Sequence, residues 1–241
     1  MCSIILHIGE DGMFIAANRD EMATRLWDPP GEYWPGICGG RDRLGGGSWA
    51  ALNRRGVFAA LLNRTGTLGP APGKLSRGGL PLLALREASA ARAAAALAGL
   101  DASLYRSFNL VIADYRQAFL LRGLERGSPE PEELKERVTM ITSGEPNDLS
   151  MPRIARHLPR FQAAPVAQWG RLLADSSGSR LEQLNIPAPP GGFGTVCSLL
   201  VRLPRQGDAR QCFAPGPPDR AGFAPVSGWN DKPERTVTPQ S

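Results

Sequence analysis

Apolar residues at the start of the chain form two short runs, CSIILHI and MFIAA, separated by the segment GEDG. Short β-rich runs joined by a glycine-bearing loop predict a β-hairpin. Pairing Ile8 with Met13 sets an antiparallel register that places Cys2 opposite Arg19. The hairpin therefore returns the polar cluster NRDE, which follows its second run, to the N-terminal end of the first run.

A second hairpin is predicted where the runs SWAAL and VFAALL flank the turn NRRG. Its second strand ends at Asn63, and a loop rich in glycine and proline follows over residues 65–80. Further β-rich runs predict strands at residues 108–114, 118–123, 138–142 and 195–203, with a last short strand beginning at Cys212.

The hydrophobic period becomes helical over residues 80–100, where leucines precede a run of alanines, and one helix is predicted there. Two shorter helices are predicted over residues 152–160 and 165–175. Strands followed by helices and then by strands indicate an α+β layered fold with mostly antiparallel sheets. No change of composition marks a boundary, so we expect a single domain over residues 1–241.

The composition is that of an ordinary globular chain with many connections. Of its 241 residues, 42% are hydrophobic, and it holds 28 glycines and 22 prolines. The net charge of +5 comes from scattered arginines, which is typical of a solvated surface and argues against a nucleic-acid partner. No segment approaches the ~20 apolar residues of a membrane span, and the first apolar run is too short for a signal peptide. We expect a cytoplasmic protein whose partner is a small molecule.

The four cysteines are widely spaced along the chain and form no C-x-x-C pair: Cys2, Cys38, Cys197 and Cys212. This spacing predicts neither a zinc site nor a disulfide framework. We therefore expect free thiols in a reducing compartment and no metal cofactor for catalysis.

The position of Cys2 gives its thiol a special chemistry. Aminopeptidases remove an initiator methionine that precedes a small residue, so we expect the mature chain to begin at Cys2. Its α-amine, with an ordinary pKa of about 7.7–8.0, would act as general base for its own thiol. Such a site needs a carboxylate to orient the ammonium and a donor for the developing oxyanion. The hairpins offer Asp20 for the first role and Asn63 for the second.

Each of these residues also has a simpler interpretation. Cys2 can be a small residue at a strand edge, and Asn18, Asp20 and Asn63 can be turn residues. The spacing of Cys2 to Asn18-x-Asp20, through a hairpin of fitting length, favours the joint site. On the predicted helix at residues 152–160, the basic side chains are interpreted as a solvated face: Arg153, Arg156, His157 and Arg160.

Four segments occur in an order that resembles the motifs of the NRDE family, which includes the transport-and-Golgi-organisation proteins. They are MCSIIL…AANRDEMATR, GGSWAALNRRGVFAALLNRTG, LSRGGL and FNLVIAD, and they cover residues 1–114, with weaker agreement to about residue 203. The resemblance implies an N-terminal-nucleophile (Ntn) hydrolase-like αββα sandwich. It also implies a role in moving haem out of its sites of synthesis or storage, and more loosely in lipid metabolism.

The chain is more distantly similar to amidases of the choloylglycine-hydrolase type, whose nucleophile is a cysteine exposed by loss of the initiator methionine. The similarity implies that Cys2 is the nucleophile, that Asp20 holds the α-amine, and that Asn63 lies in the oxyanion hole. Two groups of those amidases have no counterpart. Gly144 stands where they carry a second asparagine, and the segment FGTVCSLLV lacks their late arginine.

Two functions follow from these resemblances, and the family resemblance favours the first. The first is haem binding and trafficking without chemistry, with haem as cargo and with Asn18, Arg19 and Arg64 as the candidate ligand-binding residues. The second is amide hydrolysis by an N-terminal cysteine, Cys2, on linear C–N bonds. A protein that kept the fold and lost all chemistry is a third alternative.

Overall fold

Thirteen strands form two antiparallel sheets in the computed structural model, which describes residues 2–227 and 229. The strands are β1 (Ser3–Gly9), β2 (Gly12–Met22), β3 (Trp27–Trp34), β4 (Ile37–Asp42), β5 (Ser48–Asn53), β6 (Phe58–Asn63), β7 (Phe108–Ala113), β8 (Ala118–Gly123), β9 (Pro131–Glu133), β10 (Val138–Ile141), β11 (Phe193–Pro204), β12 (Arg210–Ala214) and β13 (Ala224–Pro225). The six-stranded sheet has the order β10-β1-β2-β11-β12-β13, and the seven-stranded sheet runs from β3 to β9 in sequence order.

Four helices cover the outer faces of the two sheets in this part of the chain. They are α1 (Gly79–Ala84), α2 (Ala90–Leu97), α3 (Pro152–Ala163) and α4 (Trp169–Leu172). The first two pack on the seven-stranded sheet and the last two on the six-stranded sheet. No helix among the described residues combines the length and the apolar character needed to cross a membrane.

The layers follow from the two-residue period of the strands. On β1, Ile4 and Leu6 pack into the core between the sheets, whereas Ile5 packs into the core beneath α3 and α4. Alternation of this kind makes both faces of each sheet apolar, so a helical layer is needed on each outer side. The predicted α+β class is confirmed, and the four layers form the αββα sandwich that the family resemblance implies.

The register predicted for the first hairpin is confirmed, because Ile8 pairs with Met13. Gly12 in its loop has φ +121, and a Cβ there would lie 2.2 Å from the Leu203 carbonyl oxygen. Only glycine tolerates both constraints. The second strand is longer than expected, since β2 continues through the polar cluster as far as Met22. The cluster is therefore strand and not turn, because β11 pairs with it along its whole length.

The single helix predicted over residues 80–100 is wrong, because the chain forms two helices there. The side-chain amide of Asn53 donates to the carbonyl oxygens of Leu85 and Glu87, which a continuous helix would use internally. Ser89 then caps the start of α2 by accepting from a backbone amide. A side chain from another element has therefore overridden the local helical propensity. The helix predicted over residues 165–175 is likewise only a 3₁₀ turn, Val166–Gln168, followed by the four-residue α4.

Four strands at or beside the sheet edges were not predicted: β3, β4, β9 and β13. Strands β3 and β4 were not predicted because their residues lack alternation, and β3 contains Pro29 and Pro30. Proline is tolerated at a sheet edge, where the missing amide would face away from the ladder. Strand β9 lies at the opposite edge, within an acidic, proline-bearing segment that lacks a β-rich pattern. The sequence after Gly228 is polar, which predicts a frayed terminus, but these residues lie outside the described part of the chain except for Trp229.

Candidate active site

Cys2 lies just before β1, at the mouth of the space between the two sheets. Its thiol donates to the backbone carbonyl oxygen of Asp20 at 3.6 Å, and the residue is half-buried. Burial and the nearby Asp20 carboxylate raise the pKa of this thiol above its ordinary value. A thiol in this environment is protonated at neutral pH, so it needs a base before it can act as a nucleophile.

The carboxylate of Asp20 is held by side chains from two distant elements. One oxygen accepts from Arg153 on α3 at 3.0 Å, and the other accepts from the Thr195 hydroxyl on β11 at 2.7 Å. Arg153 also donates to the Ser3 hydroxyl at 3.1 Å. The Arg153 and Asp20 side chains are 1% and 0% exposed, so these charge-assisted bonds are shielded from water. The network fixes the carboxylate beside the N-terminal end of β1.

The interpretation of α3 as a solvated basic face is wrong for two of its residues. Arg153 and His157 are 1% and 0% exposed. They share a helical face with Ile154, Leu158 and Phe161, and this face packs on the six-stranded sheet. The spacing of those apolar residues was the signal that could have revealed the burial, because positions 153 and 157 adjoin them on a 3.6-residue period.

His157 is a neutral structural residue. Its Nε2 atom lies 2.9 Å from the Glu182 carbonyl oxygen, and its Nδ1 atom lies 3.2 Å from a guanidinium nitrogen of Arg160. Burial lowers the pKa of His157. The guanidinium can only donate, so Nδ1 is the acceptor and Nε2 carries the proton.

Asn18 has a structural environment. Its side-chain NH₂ group donates to the carbonyl oxygens of Leu173 and Leu184, at 2.9 and 3.0 Å, and its side-chain oxygen accepts from the Ser198 hydroxyl at 2.6 Å. The residue is 1% exposed, and both amide hydrogens are engaged. Asn18 therefore ties β2 to β11 and to the segment that follows α4. A ligand-binding role for it stays a prediction.

Asn63 is brought together with Cys2 and Asp20. It is the last residue of β6, and these three residues line one recess of about 270 Å³. Arg64 lines the same recess, but its guanidinium donates to the Asn109 side chain at 2.8 Å and to Glu145 at 2.7 Å. The recess therefore offers the thiol and Asn63 next to the backbone of Asp20, whose carboxylate is buried in its bonds to Arg153 and Thr195. The Arg64 cation beside them is already paired.

Two residues near the recess were missed by sequence analysis. The side-chain NH₂ group of Asn109, on β7, donates to the Gly144 carbonyl oxygen at 2.7 Å. The Ser143 hydroxyl lies 3.0 Å from that of Thr65. These bonds tie the loop after β10 to the strand end that carries Asn63. Gly144 is therefore anchored to β7 beside the end of β6.

Arg19 lies between the sheets and is 6% exposed. Its guanidinium stacks on the Trp49 ring at 4.2 Å, and its Nη2 atom lies 3.7 Å from Glu21 and 3.6 Å from Asp42. Asp42 makes its short bond, 2.6 Å, to Arg25 instead. The Nη1 atom of Arg19 is buried and has no hydrogen-bond partner among the described residues.

A metal or haem would find few ligands around Cys2. The described residues contain no group of three or more His, Cys, Asp or Glu side chains arranged to hold a metal ion. Of the two histidines, His157 is fully buried, and His7 packs edge-on against Trp169 on the helical side of the six-stranded sheet. Two thiols near the site could bind iron as soft ligands, and of these Cys2 is half-buried whereas Cys197 is 1% exposed.

Comparison with known proteins identifies a family and supports the fold. Residues 1–185 match the sequence model of the family described as Transport and Golgi organisation 2. No curated protein sequence matches the chain.

Similar solved structures are found among amidases. The Caenorhabditis elegans N-acylethanolamine-hydrolyzing acid amidase ortholog has a TM-score of 0.59 and 11% identity, covering 84% of this chain and 92% of its own. Penicillin V acylase from Agrobacterium tumefaciens has a TM-score of 0.52 and 15% identity, covering 93% and 84%. A variant of the conjugated bile acid hydrolase from Clostridium perfringens has a TM-score of 0.56 and 9% identity, covering 94% and 96%. Identities this low show the shared fold alone.

Proposed function

This chain belongs to the Transport and Golgi organisation 2 family, and from its Ntn hydrolase-like fold and the geometry at Cys2 we propose that it hydrolyses linear amides with an N-terminal cysteine. The observation that carries the proposal is the convergence of Cys2, Asp20 and Asn63 on one recess. A nucleophile, an orienting carboxylate and an oxyanion donor are the three groups that such a reaction needs.

The proposed reaction begins after removal of Met1, which lies outside the described residues. The freed α-amine of Cys2 takes the thiol proton, and Sγ attacks the amide carbonyl carbon. Asn63 donates a hydrogen bond to the oxyanion, and the ammonium then protonates the leaving nitrogen as the C–N bond breaks. Water attacks the resulting thioester and releases the acid and the free thiol. Asp20, held by Arg153 and Thr195, orients the ammonium throughout.

The second asparagine and the late arginine of the choloylglycine-hydrolase type of amidases have no counterpart in this chain, and this bears on the proposal. In β11, Val196 or Cys197 stands where those amidases carry an arginine, and the adjoining Thr195 donates to Asp20. Arg153 of α3 supplies a guanidinium at the same carboxylate. At the place of the second asparagine, the Gly144 carbonyl accepts a hydrogen bond from Asn109. In the proposed site, Arg153 supplies the positive charge at this carboxylate, and Asn63 acts as the oxyanion donor.

Untagged protein tests the proposal. Intact mass should show that the chain begins at Cys2, and a panel of N-acyl amides should give turnover with a thioester-linked mass intermediate. Cys2→Ala should abolish turnover, because it removes the nucleophile. Cys212→Ala is the matched control, since Cys212 is equally half-buried but lies on β12. Retention of Met1 in most molecules, or turnover that survives Cys2→Ala, would contradict the proposal.

Haem handling is a second candidate, and a different observation favours it. The cleft beside Cys2 is lined by five basic side chains, Arg19, Arg25, Lys74, Arg77 and Arg106, which suit carboxylate-bearing ligands such as haem. In this case Cys2 would act as a soft ligand and not as a nucleophile. Haem titration should give a shifted Soret band that saturates near one haem per chain. Binding no tighter than to an unrelated basic protein of similar size would exclude this function.

A further inference from the structure

Besides the recess shared with Asp20 and Asn63, two cavities of opposite character meet at Cys2. The inner recess lies between the sheets, has a volume of about 30 Å³, and is lined mainly by apolar side chains, among them Ile4, Ala17, Ala60, Leu62 and Leu199. The basic cleft is larger, about 310 Å³, and opens beyond Arg19. Cys2, Arg19, Trp49 and Leu61 line both cavities. A ligand held at the thiol therefore extends into an apolar cavity on one side and a polar cavity on the other.

The basic cleft has an excess of positive charge. The same five basic side chains line it, against the two carboxylates Glu21 and Asp42. Burial lowers the pKa of Arg77 to about 10, so this guanidinium is still charged at neutral pH. A cavity lined by one sign of charge concentrates ligands of the opposite sign. The cleft therefore favours an anionic group.

Arg19 provides a specific contact for that group. Its Nη1 atom is buried without a hydrogen-bond partner among residues 2–227 and 229, although the guanidinium lines the cleft next to Cys2. A buried donor without a partner is costly, so an acceptor oxygen placed there by a ligand gains more than it would in water. Because Asp42 is committed to Arg25 by a 2.6 Å bond, the carboxylates of the cleft do not supply that acceptor.

The order of product release decides which part of the substrate occupies which cavity. In covalent hydrolysis the amine leaves first, the acyl group stays on Sγ, and water must reach the thioester from the side that the amine has vacated. The roomier basic cleft suits the departing amine, and the inner recess suits the retained acyl group. A cavity needs about 10–15 Å³ to hold one water, so a recess of about 30 Å³ takes an acyl group of two or three carbons.

We propose, on the basis of the amidase function above, that the substrate is an N-acyl amino acid: a short apolar acyl chain joined to an amine that carries a carboxylate. The acyl chain occupies the inner recess, and the carboxylate accepts from Arg19 in the basic cleft. Hydrolysis then transfers the thiol proton to the amino-acid nitrogen, forms and breaks the Sγ–C bond, and consumes one water.

Turnover of four compounds tests whether the carboxylate must lie on the amine side and the acyl chain must be short. They are N-propanoylalanine, its neutral primary amide, N-dodecanoylalanine, and the monoamide of succinic acid with ethylamine, whose carboxylate lies on the acyl side. We expect N-propanoylalanine to have the highest kcat/KM, about ten- to a hundredfold above its neutral amide at low salt. This preference should shrink as salt screens the cleft. It should also be lost in Arg19→Met and kept in Arg55→Met, an exposed arginine at the turn of the second hairpin.

Binding separates this inference from the proposed function. The Cys2→Ala protein should bind N-propanoylalanine more tightly than its neutral amide, with a change in tryptophan fluorescence because Arg19 stacks on Trp49. Selective binding without turnover by the native protein would leave the inference standing and defeat the amidase function. Three turnover results would overturn the inference. They are equal kcat/KM for N-propanoylalanine and its neutral amide, a higher kcat/KM for the succinic monoamide or the dodecanoyl compound, and an unchanged preference in Arg19→Met. Failure of Cys2→Ala to bind either alanine compound would overturn it as well.

Discussion

Replacing Arg153 with methionine tests how much the buried ion pair at the candidate active site stabilises the fold. The Arg153 guanidinium lies 3.0 Å from the Asp20 carboxylate, and both side chains are almost fully buried. Removing one partner of a buried ion pair costs about 3–5 kcal/mol, because the remaining charge stays desolvated. Thr195 would still donate to Asp20, so we expect a loss of about 3 kcal/mol. At about 2–4 °C per kcal/mol for a domain of this size, Tm should fall by about 6–12 °C.

The assay is a double-mutant cycle followed by urea and thermal unfolding. Asp20→Asn removes the carboxylate charge, and the double variant removes both charges, so its loss should be smaller than the sum of the two single losses by about 1 kcal/mol or more. Arg156→Met on the same helix is the control. Its guanidinium is 36% exposed and lies 3.8 Å from Glu182, so its loss should stay within about 1 kcal/mol. A loss at Arg153 no larger than at Arg156, or additive single losses, would refute the reasoning.

Three further outcomes follow from other buried groups. Burial lowers the pKa of His157, so below about pH 6.5 the unfolded chain takes up a proton that the folded chain does not. The stability that is present above that pH is therefore lost on acidification. His157→Gln should flatten the fall in the free energy of unfolding between about pH 7 and 5, measured by urea titration. Burial raises the pKa of the Cys38 and Cys197 thiols to about 12. Iodoacetamide at pH 8 should therefore label the half-buried Cys212 of the folded protein well before Cys38 or Cys197, and peptide mass mapping measures this order. Asn18→Ala should cost about 3 kcal/mol of unfolding free energy, roughly 1 kcal/mol for each of its three hydrogen bonds; a loss below 1 kcal/mol would show that its amide does not hold the strands together.

The sequence predicted the hairpins well because their information is local. Alternation and a glycine-bearing loop fix the pairing of Ile8 with Met13, and the same reasoning locates the second hairpin. The helix over residues 80–100 failed for the opposite reason. Its leucines and alanines favour one continuous helix, but the amide that interrupts it belongs to Asn53, on a strand some thirty residues earlier. Propensity cannot represent a competing donor that only the tertiary fold supplies.

The candidate site also has one part that local sequence predicts and another part that depends on tertiary contacts. Cys2 and Asp20 are neighbours because one hairpin joins them, so their proximity could be predicted from spacing alone. Arg153 could not be placed with them, because it reaches Asp20 from a helix 133 positions further along the chain. Thr195 arrives from a strand that pairs with β2 across a register irregularity between Thr195 and Cys197. Long-range contacts of this kind depend on how the layers stack, and a local motif carries no information about that.

The strand conformation of the NRDE cluster assigns its residues to two different tasks. Because successive side chains of a strand point to opposite faces, Asn18 and Asp20 face the layer of α3 and α4, where they bond to the segment after α4 and to Arg153. Arg19 and Glu21 face the other way and line the basic cleft. A motif of four consecutive polar residues is therefore two interleaved pairs, one that holds the layers together and one that faces the ligand. Substitution of Asn18 should act first on stability, and substitution of Asp20 on both stability and turnover. Substitution of Arg19 or Glu21 should act first on binding.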